Sequence, residues 1–524
     1  MLSHGPQQCS SGGSTMTNNS SAFSRDFASS LVVFLVAIPL CLGIAIASGV
    51  PAAMGLISGI IGGIVVGLLA GSPLQVSGPA AGLAVIVFGF VEQHGVAMLA
   101  PVLLVVGLLQ ILAGFLRIGS WFRAISPAVV HGMLAGIGIL IILGQIHVLM
   151  DAKPAAGGIE NVAAINESVG RLWGNGLTSE AAALMVGLIS LLAVVCWEKC
   201  RPQSLNLVPG ALIGVTAGTI LAAAFELPIA RVEVPASLLD GLSLPTIESF
   251  IQFPQPSIIL ATLMIAVIAS AETLLSAAAV DRMHDGVRTK FNKELFAQGI
   301  GNSLCGLLGG LPITGVIVRS SANIQAGAST RTSAILHGMW ILGLVALAPG
   351  LLTTVPLTAL AAVLLLTGWR LISLRHVRHL FEHHGLVPVG IWLTTVAMIV
   401  LEDLLVGVVL GLALSILEIV PYLRRKLAIR HAEIDEEIHV RLDGAATCKD
   451  VPALLNTLEQ LPEGRKVRIL GEDLHYMDHT SAETISDWLQ REAKSGRAIE
   501  VHPPRVERHP RLKPLFQRFS AEVA

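Results

Sequence analysis

Between residues 27 and 420 the chain is a succession of apolar runs separated by short polar or Gly/Pro breaks. A helix of about 20 residues spans the roughly 30 Å of bilayer hydrocarbon. Runs and breakers place fourteen such segments: 27–49, 52–70, 74–90, 96–116, 122–147, 180–196, 207–225, 256–280, 295–311, 313–327, 332–350, 355–371, 386–401 and 404–420. Past residue 420 the pattern changes. A basic stretch at 422–430 precedes segments that read as strand 437–442, helix 449–461, strand 466–470, helix 480–494 and strand 498–501. The expected organisation is a disordered tail at 1–24, a membrane part at 25–425, a small α/β domain at 433–505 and a C-terminal tail at 506–524.

Composition agrees with lipid as the main solvent. Only 13% of the 524 residues are charged and 53% are hydrophobic, against about 25% charged in soluble domains. With the N-terminus inside, Arg117, Arg123, Lys199, Arg201, Arg282, Arg288, Lys290, Lys293, Arg331, Arg370, Arg375, Arg378 and the basic run 424–426 fall on one side. Lys153, Arg171 and Arg231 fall on the other, so both termini are expected in the cytoplasm. The Ser- and Gly-rich N-terminus lacks the basic start of a secretory signal. A net charge of -2 and the lack of a basic aromatic stripe argue against nucleic acid as a partner. The six cysteines form no CxxC pair, and no HExxH, GxSxG or Walker motif suggests an enzyme.

Two segments are unusual. The third contains Gln75-Val76-Ser77-Gly78-Pro79-Ala80-Ala81-Gly82, and the tenth Thr314-Gly315 and Arg319-Ser320-Ser321. Both are short, both follow a Gly-x-Pro turn, and each is third in its half of seven. That pattern predicts paired half-helices meeting at the bilayer midplane of an inverted-repeat transporter. Each half-helix N-terminus carries roughly half a positive charge and unpaired N–H groups, which favour an anion. Gly78, Ala80, Ala81 and Gly315 let it approach the backbone, although small residues also serve tight helix packing. Glu272 and Arg319 are charges within apolar segments. Glu272 reads as a proton or cation site, or as the partner of Arg319. The His-rich stretch at His376, His379, His383 and His384 reads as an interfacial basic cluster without metal-ligand spacing.

These residues resemble the sulfate permease (SulP) family, relatives of the solute carrier 26 anion transporters, over nearly the whole chain after Arg25. The resemblance rests on Ala37-Ile38-Pro39, Val76-Ser77-Gly78-Pro79, Glu272-Thr273-Leu274-Leu275-Ser276 and Val318-Arg319-Ser320. Tyr476-Met477-Asp478-His479-Thr480 is similar to a STAS domain. It implies an α-helical polytopic fold with fourteen transmembrane segments in a 7+7 inverted repeat, split into core and gate domains, with a cytoplasmic STAS-like domain and a homodimeric assembly. It further implies elevator-type alternating access in the cell (inner) membrane. The implied substrate positions are Ser77, Gly78, Pro79, Ala80, Ala81, Val318, Arg319 and Ser320; the coupling-ion positions are Glu272, Ser276, Thr314 and Gly315. No cofactor is implied beyond Na⁺ or H⁺ as the coupling ion. Leu40 and Ile44 replace a Gln and an aromatic found in many relatives, and His479 stands where phosphorylated STAS domains have Ser.

The resulting expectation is a secondary transporter of sulfate or bicarbonate, coupled to Na⁺ or H⁺ through Glu272. An uncoupled anion channel or exchanger, a nucleobase permease and a membrane-tethered sensor are the rival readings.

Overall fold

The computed structural model describes residues 15–119, 126–155, 157–172, 178–202, 205, 208–233, 244–281, 283–284, 286–402, 404–422, 427–434, 437–462, 464–503 and 512–523. Arg123, Arg282, the basic run 424–426 and the first fourteen residues of the expected tail lie outside the described residues. The rest of that tail is a correction. Helix α1 (Thr15–Ala47) begins well before residue 25, because lengthening an existing helix adds a hydrogen bond per residue without a new nucleus.

A helix occupies each of the fourteen apolar segments. After α1 come α2 (Ala52–Leu69), a short strand β1 (Ser77–Pro79) leading into α3 (Ala81–His94), α4 (Val96–Phe115) and α5 (Pro127–Leu149). A polar surface helix, α6 (Gly158–Gly170), precedes α7 (Ser179–Cys200) and α8 (Gly210–Ala224). Then follow α9 (Pro256–Asp281), α10 (Phe291–Leu308), β2 (Ile313–Gly315) with α11 (Ile317–Gln325), and α12 (Thr332–Leu347). The series ends with α13 (Leu357–Leu371), α14 (Leu374–His384), α15 (Leu386–Leu401) and α16 (Leu404–Ile419). Among the described residues, six helices (α1, α2, α4, α5, α7 and α9) are long and apolar enough to cross a bilayer unaided.

The helices sort into two bundles. One holds α1, α2, α4, α9, α10, α11 and α12; the other holds α5, α7, α8, α13, α15 and α16. Within the first bundle α4 and α10 touch backbone to backbone. A Cβ on Gly299 would lie 2.7 Å from the Gly107 carbonyl oxygen, and one on Gly306 2.7 Å from that of Ala100. With hydrocarbon outside, such close packing takes the place of hydrophobic burial.

The C-terminal unit is a four-stranded sheet in the order β3 (Ala428–Ile434), β4 (Glu437–Ala446), β5 (Val467–Met477), β6 (Ile499–His502). The β3–β4 pair is antiparallel and the other two pairs are parallel. Helices α17 (Val451–Glu459), α18 (His479–Lys494) and α19 (Lys513–Val523) cover it. Both expected boundaries of this unit are corrected. β3 lies in and beyond the stretch read as a basic linker, since as a largely exposed edge strand it has no alternating buried face to betray it. The stretch 506–524 is not merely a tail. Leu512, Leu515, Phe516 and Phe519, spaced i, i+3, i+4, i+7, are buried in the same core as Val440, Ile469 and Trp488.

Candidate functional site

Local sequence explains why two spans are broken. Pro79 and Pro312 have no N–H to donate, and each biases the residue before it towards extended backbone. Helix formation is thereby delayed to Ala81 and Ile317. The extended pieces pair with each other: Ser77 opposite Gly315, Gly78 opposite Thr314, Pro79 opposite Ile313. A further bond runs from Val316 N–H to the Val76 carbonyl at 2.9 Å. The first turns of α3 and α11 thus start from one two-stranded crossing, and their leading N–H groups lack intrahelical acceptors.

A polar stripe on α10 holds this crossing. Asn302 accepts from Ile313 N–H at 2.8 Å and donates to the Ile313 carbonyl at 3.1 Å and to Gln110 at 2.8 Å. One turn earlier Gln298 donates to the Ser77 hydroxyl at 2.5 Å and to Glu294 at 3.1 Å. Glu294 in turn accepts from Gly71 and Ser72 N–H at 2.8 and 2.9 Å. From α9, Thr273 accepts from Gly315 N–H through its hydroxyl (3.2 Å) and from the Gln75 amide through its carbonyl (3.0 Å).

Arg319 is completely buried. Its Nη2 reaches the Cys41 sulfur on α1 at 3.4 Å, while Nε and Nη1 have no hydrogen-bond partner. Its guanidinium lies against Gly78, where a Cβ would collide with Nη1. Glu272 lies against the first turn of α3, both carboxylate oxygens 3.0 Å from where a Cβ on Gly82 would stand. Its Oε2 has no hydrogen-bond partner of regular geometry, and the Thr314 hydroxyl stands beside the carboxylate. No ion pair joins Glu272 to Arg319 among the described residues, so the partnership that sequence left open is not made.

The structure therefore brings Gly78, Arg319, Thr314 and Glu272 to the crossing of β1 and β2, with Pro79, Ala80 and Ala81 on the path into α3 and Ser276 buried a turn beyond Glu272. Other expected site residues are occupied elsewhere. The Ser320 hydroxyl accepts from Val76 N–H at 2.9 Å and donates to the Val316 carbonyl. The Ser77 hydroxyl is held by Gln298, Val318 is exposed, and the Gly315 backbone is covered by Gln75. Sequence reading missed Cys41, Thr273, Glu294, Gln298 and Asn302. The last three, spaced four apart on one helix, were legible as a polar stripe within or beside an apolar segment.

Comparison with known proteins bears directly on this arrangement. The model of the sulfate permease family matches residues 23–395. The chain belongs to this family. Like it is the sulfate transporter candidate YvdB of Bacillus subtilis (strain 168), 28% identical over 490 residues that cover 89% of this chain and 88% of that one. The bicarbonate transporter BicA of Picosynechococcus sp. is 24% identical over 401 residues, 74% of this chain and 68% of its own. Among solved structures, the transmembrane domain of a cyanobacterial BicA superposes with a TM-score of 0.64 at 23% identity, covering 74% of this chain and 97% of that domain. SLC26A9 does so with 0.67 at 15% identity, covering 96% and 88%. Those two likenesses show that this sulfate permease family member shares their fold.

Proposed function

We propose that this chain carries a small inorganic oxyanion, sulfate or bicarbonate, across the cell membrane, with the anion bound where α3 and α11 begin. The observation that carries the reading is Arg319: a fully buried guanidinium with two unpartnered nitrogens, beside two helix N-termini. An unpaired charge at that depth is costly, and an arriving anion would relieve it. The names of YvdB and BicA support these two anions without choosing between them.

The buried Glu272 carboxylate beside the Thr314 hydroxyl supports coupling to Na⁺ or H⁺ rather than an uncoupled channel. A proton or a small cation is what such a pair of oxygens accepts, with Ser276 a turn away. Fourteen crossings as two inverted sevens, a STAS-like C-terminal unit, a dimeric assembly and cytoplasmic termini complete the reading. Movement of the α1-containing bundle against the other would give elevator-type access. A cavity of about 230 Å³ supports an opening on the Arg201 side, between Val32, Val36, Ala322 and Gln325 on one bundle and Pro209 on the other. At the opposite end, between Ala47, Phe88 and Gln145, only about 30 Å³ is open.

Uptake of labelled sulfate and bicarbonate into proteoliposomes, with imposed Na⁺ and H⁺ gradients, tests the proposal. Accumulation of one anion driven by one gradient is expected. Anion binding with no flux under any gradient would point to a sensor instead.

A further inference from the structure

Helix α14 stands outside the transport site, yet its surface is ordered in an informative way. It lies between two apolar helices, α13 and α15. Trp369, in the last turn of α13, is 62% exposed; an exposed Trp at a span end marks the headgroup level. α14 begins five residues later and therefore lies at the same depth. Leu380 fixes its inner edge, fully buried with Ala128, Val129 and Ile391. At about 100° per residue, Val377, Phe381, Leu374, Arg378, Glu382 and Arg375 then follow one another around the rest of the helix. Leu374 and Phe381 are 65% and 55% exposed. The apolar edge thus grades into a basic one, with Arg378 held in place by Glu382 at 2.7 Å. Beyond the basic edge, His379 meets Glu483 of α18 at 3.2 Å, and Glu483 also pairs with Arg518 of α19 at 2.9 Å.

We propose that α14 is a binding surface for anionic phospholipid, set between the bilayer and the C-terminal unit. Leu374 and Phe381 enter the acyl boundary, as apolar faces of interfacial helices do. Arg375 and Arg378 meet the headgroup phosphates, and Arg presents a planar donor set suited to them. A soluble anion would use the arginines but not the apolar edge. A second copy of the chain would use the apolar edge, but exposed Arg375 would then need an acidic partner, since Glu382 already serves Arg378. Lipid matches both edges at the depth set by Trp369. Through His379 and Glu483 the same helix reports to α18, so lipid charge acts on the C-terminal unit.

The test uses the full chain, delipidated and reconstituted in phosphatidylcholine vesicles with or without phosphatidylglycerol. Native mass spectrometry counts retained lipids, and hydrogen exchange follows α18. The wild type should retain phosphatidylglycerol preferentially and protect α18 more in its presence. Arg375→Gln and Arg378→Gln should each lower that preference about fivefold, the effect of roughly one basic residue at an anionic surface. High salt should weaken it in the wild type but scarcely in the double variant. Phe381→Ser should weaken retention of both lipids. Equal retention of the two lipids by the wild type would overturn the proposal even if every variant misfolds, as would crosslinking between copies through Phe381→Cys. Neither readout depends on which anion is carried, so failure here is separable from failure of the transport reading.

Discussion

At the scale of single residues the site is an arrangement of charges that the fold keeps apart. Arg319 leans on Gly78 and Cys41; Glu272 leans on Gly82 and Thr314. Separated in this way, each would meet its own ion under the transport proposal. Arg319→Ala should therefore raise the dissociation constant for every oxyanion by about ten- to a hundredfold, the worth of a hydrogen bond to a charged group. Competition binding measures this, and unchanged affinity would leave Arg319 a structural residue. Gly78→Ala should reproduce much of that loss with the arginine still present, because the new methyl must displace Nη1. For Glu272→Gln the expected effect lies in coupling. The variant keeps shape and hydrogen bonding but cannot ionise, so gradient-driven accumulation should vanish while some exchange or downhill flux survives. Normal accumulation by this variant would move coupling to another residue. Sequence marked both charges, since an ionisable residue in an apolar run stands out. It could not say that they are unpaired, because rotamers and backbone contacts decide that.

Elements carry the next level of specificity. The Gly-x-Pro turns at Pro73 and Pro312 were legible as interruptions, but neither the delay of α3 past Pro79 nor the β-pair was, because three-residue strands are too short to show a period. What fixes their register is α10, whose Asn302 satisfies both polar groups of Ile313 and whose Gln298 holds Ser77. Asn302→Leu should leave the Ile313 N–H and carbonyl buried without their partner, at about 1–3 kcal/mol each. Lower thermal stability in detergent together with weaker anion binding is the expected result. Full retention of both would show that the crossing holds itself. In the C-terminal unit, Asp478 caps α18 by accepting from Ser481 N–H at 2.7 Å and ties it to Cys448 N–H at 2.6 Å. Burial holds its carboxyl above the usual range and pushes the Cys448 thiol up to about 11. The α/β alternation from 437 to 501 was readable from period alone. The exposed edge strand β3 was not, whereas the apolar spacing of α19 was present in the sequence and overlooked.

Across the whole molecule the membrane part and the C-terminal unit meet at the His379–Glu483 pair, along a cleft of about 740 Å³ between residues 286–291 and the Trp488 side of α18, and at a buried junction around His479. His479 lies 2.6 Å from the Ser126 hydroxyl at the start of α5 and 3.5 Å from Glu418 on α16. Beside it Tyr476 stacks on Tyr422, ring centroids 3.5 Å apart and nearly coplanar at 4°. Both helices touched, α5 and α16, belong to the bundle without α1. This junction thus fastens the C-terminal unit to the bundle without α1, while Arg319 and Glu272 belong to the other. Removing residues 427–524, a cut placed ahead of β3 so that no orphan edge strand is left, should leave the anion site intact. It should also strip Ser126, Glu418 and Tyr422 of their partners. Equilibrium anion affinity is therefore expected to stay within about threefold of the intact chain, a difference below 1 kcal/mol. Turnover, assembly or yield should fall, because the bundle against which the other would move has lost its fastening. Binding and uptake measured on the same truncated, monodisperse preparation separate the two effects. Loss of equilibrium binding in a truncated protein that still folds would mean that the C-terminal unit shapes the site itself, through the α5–α16 face.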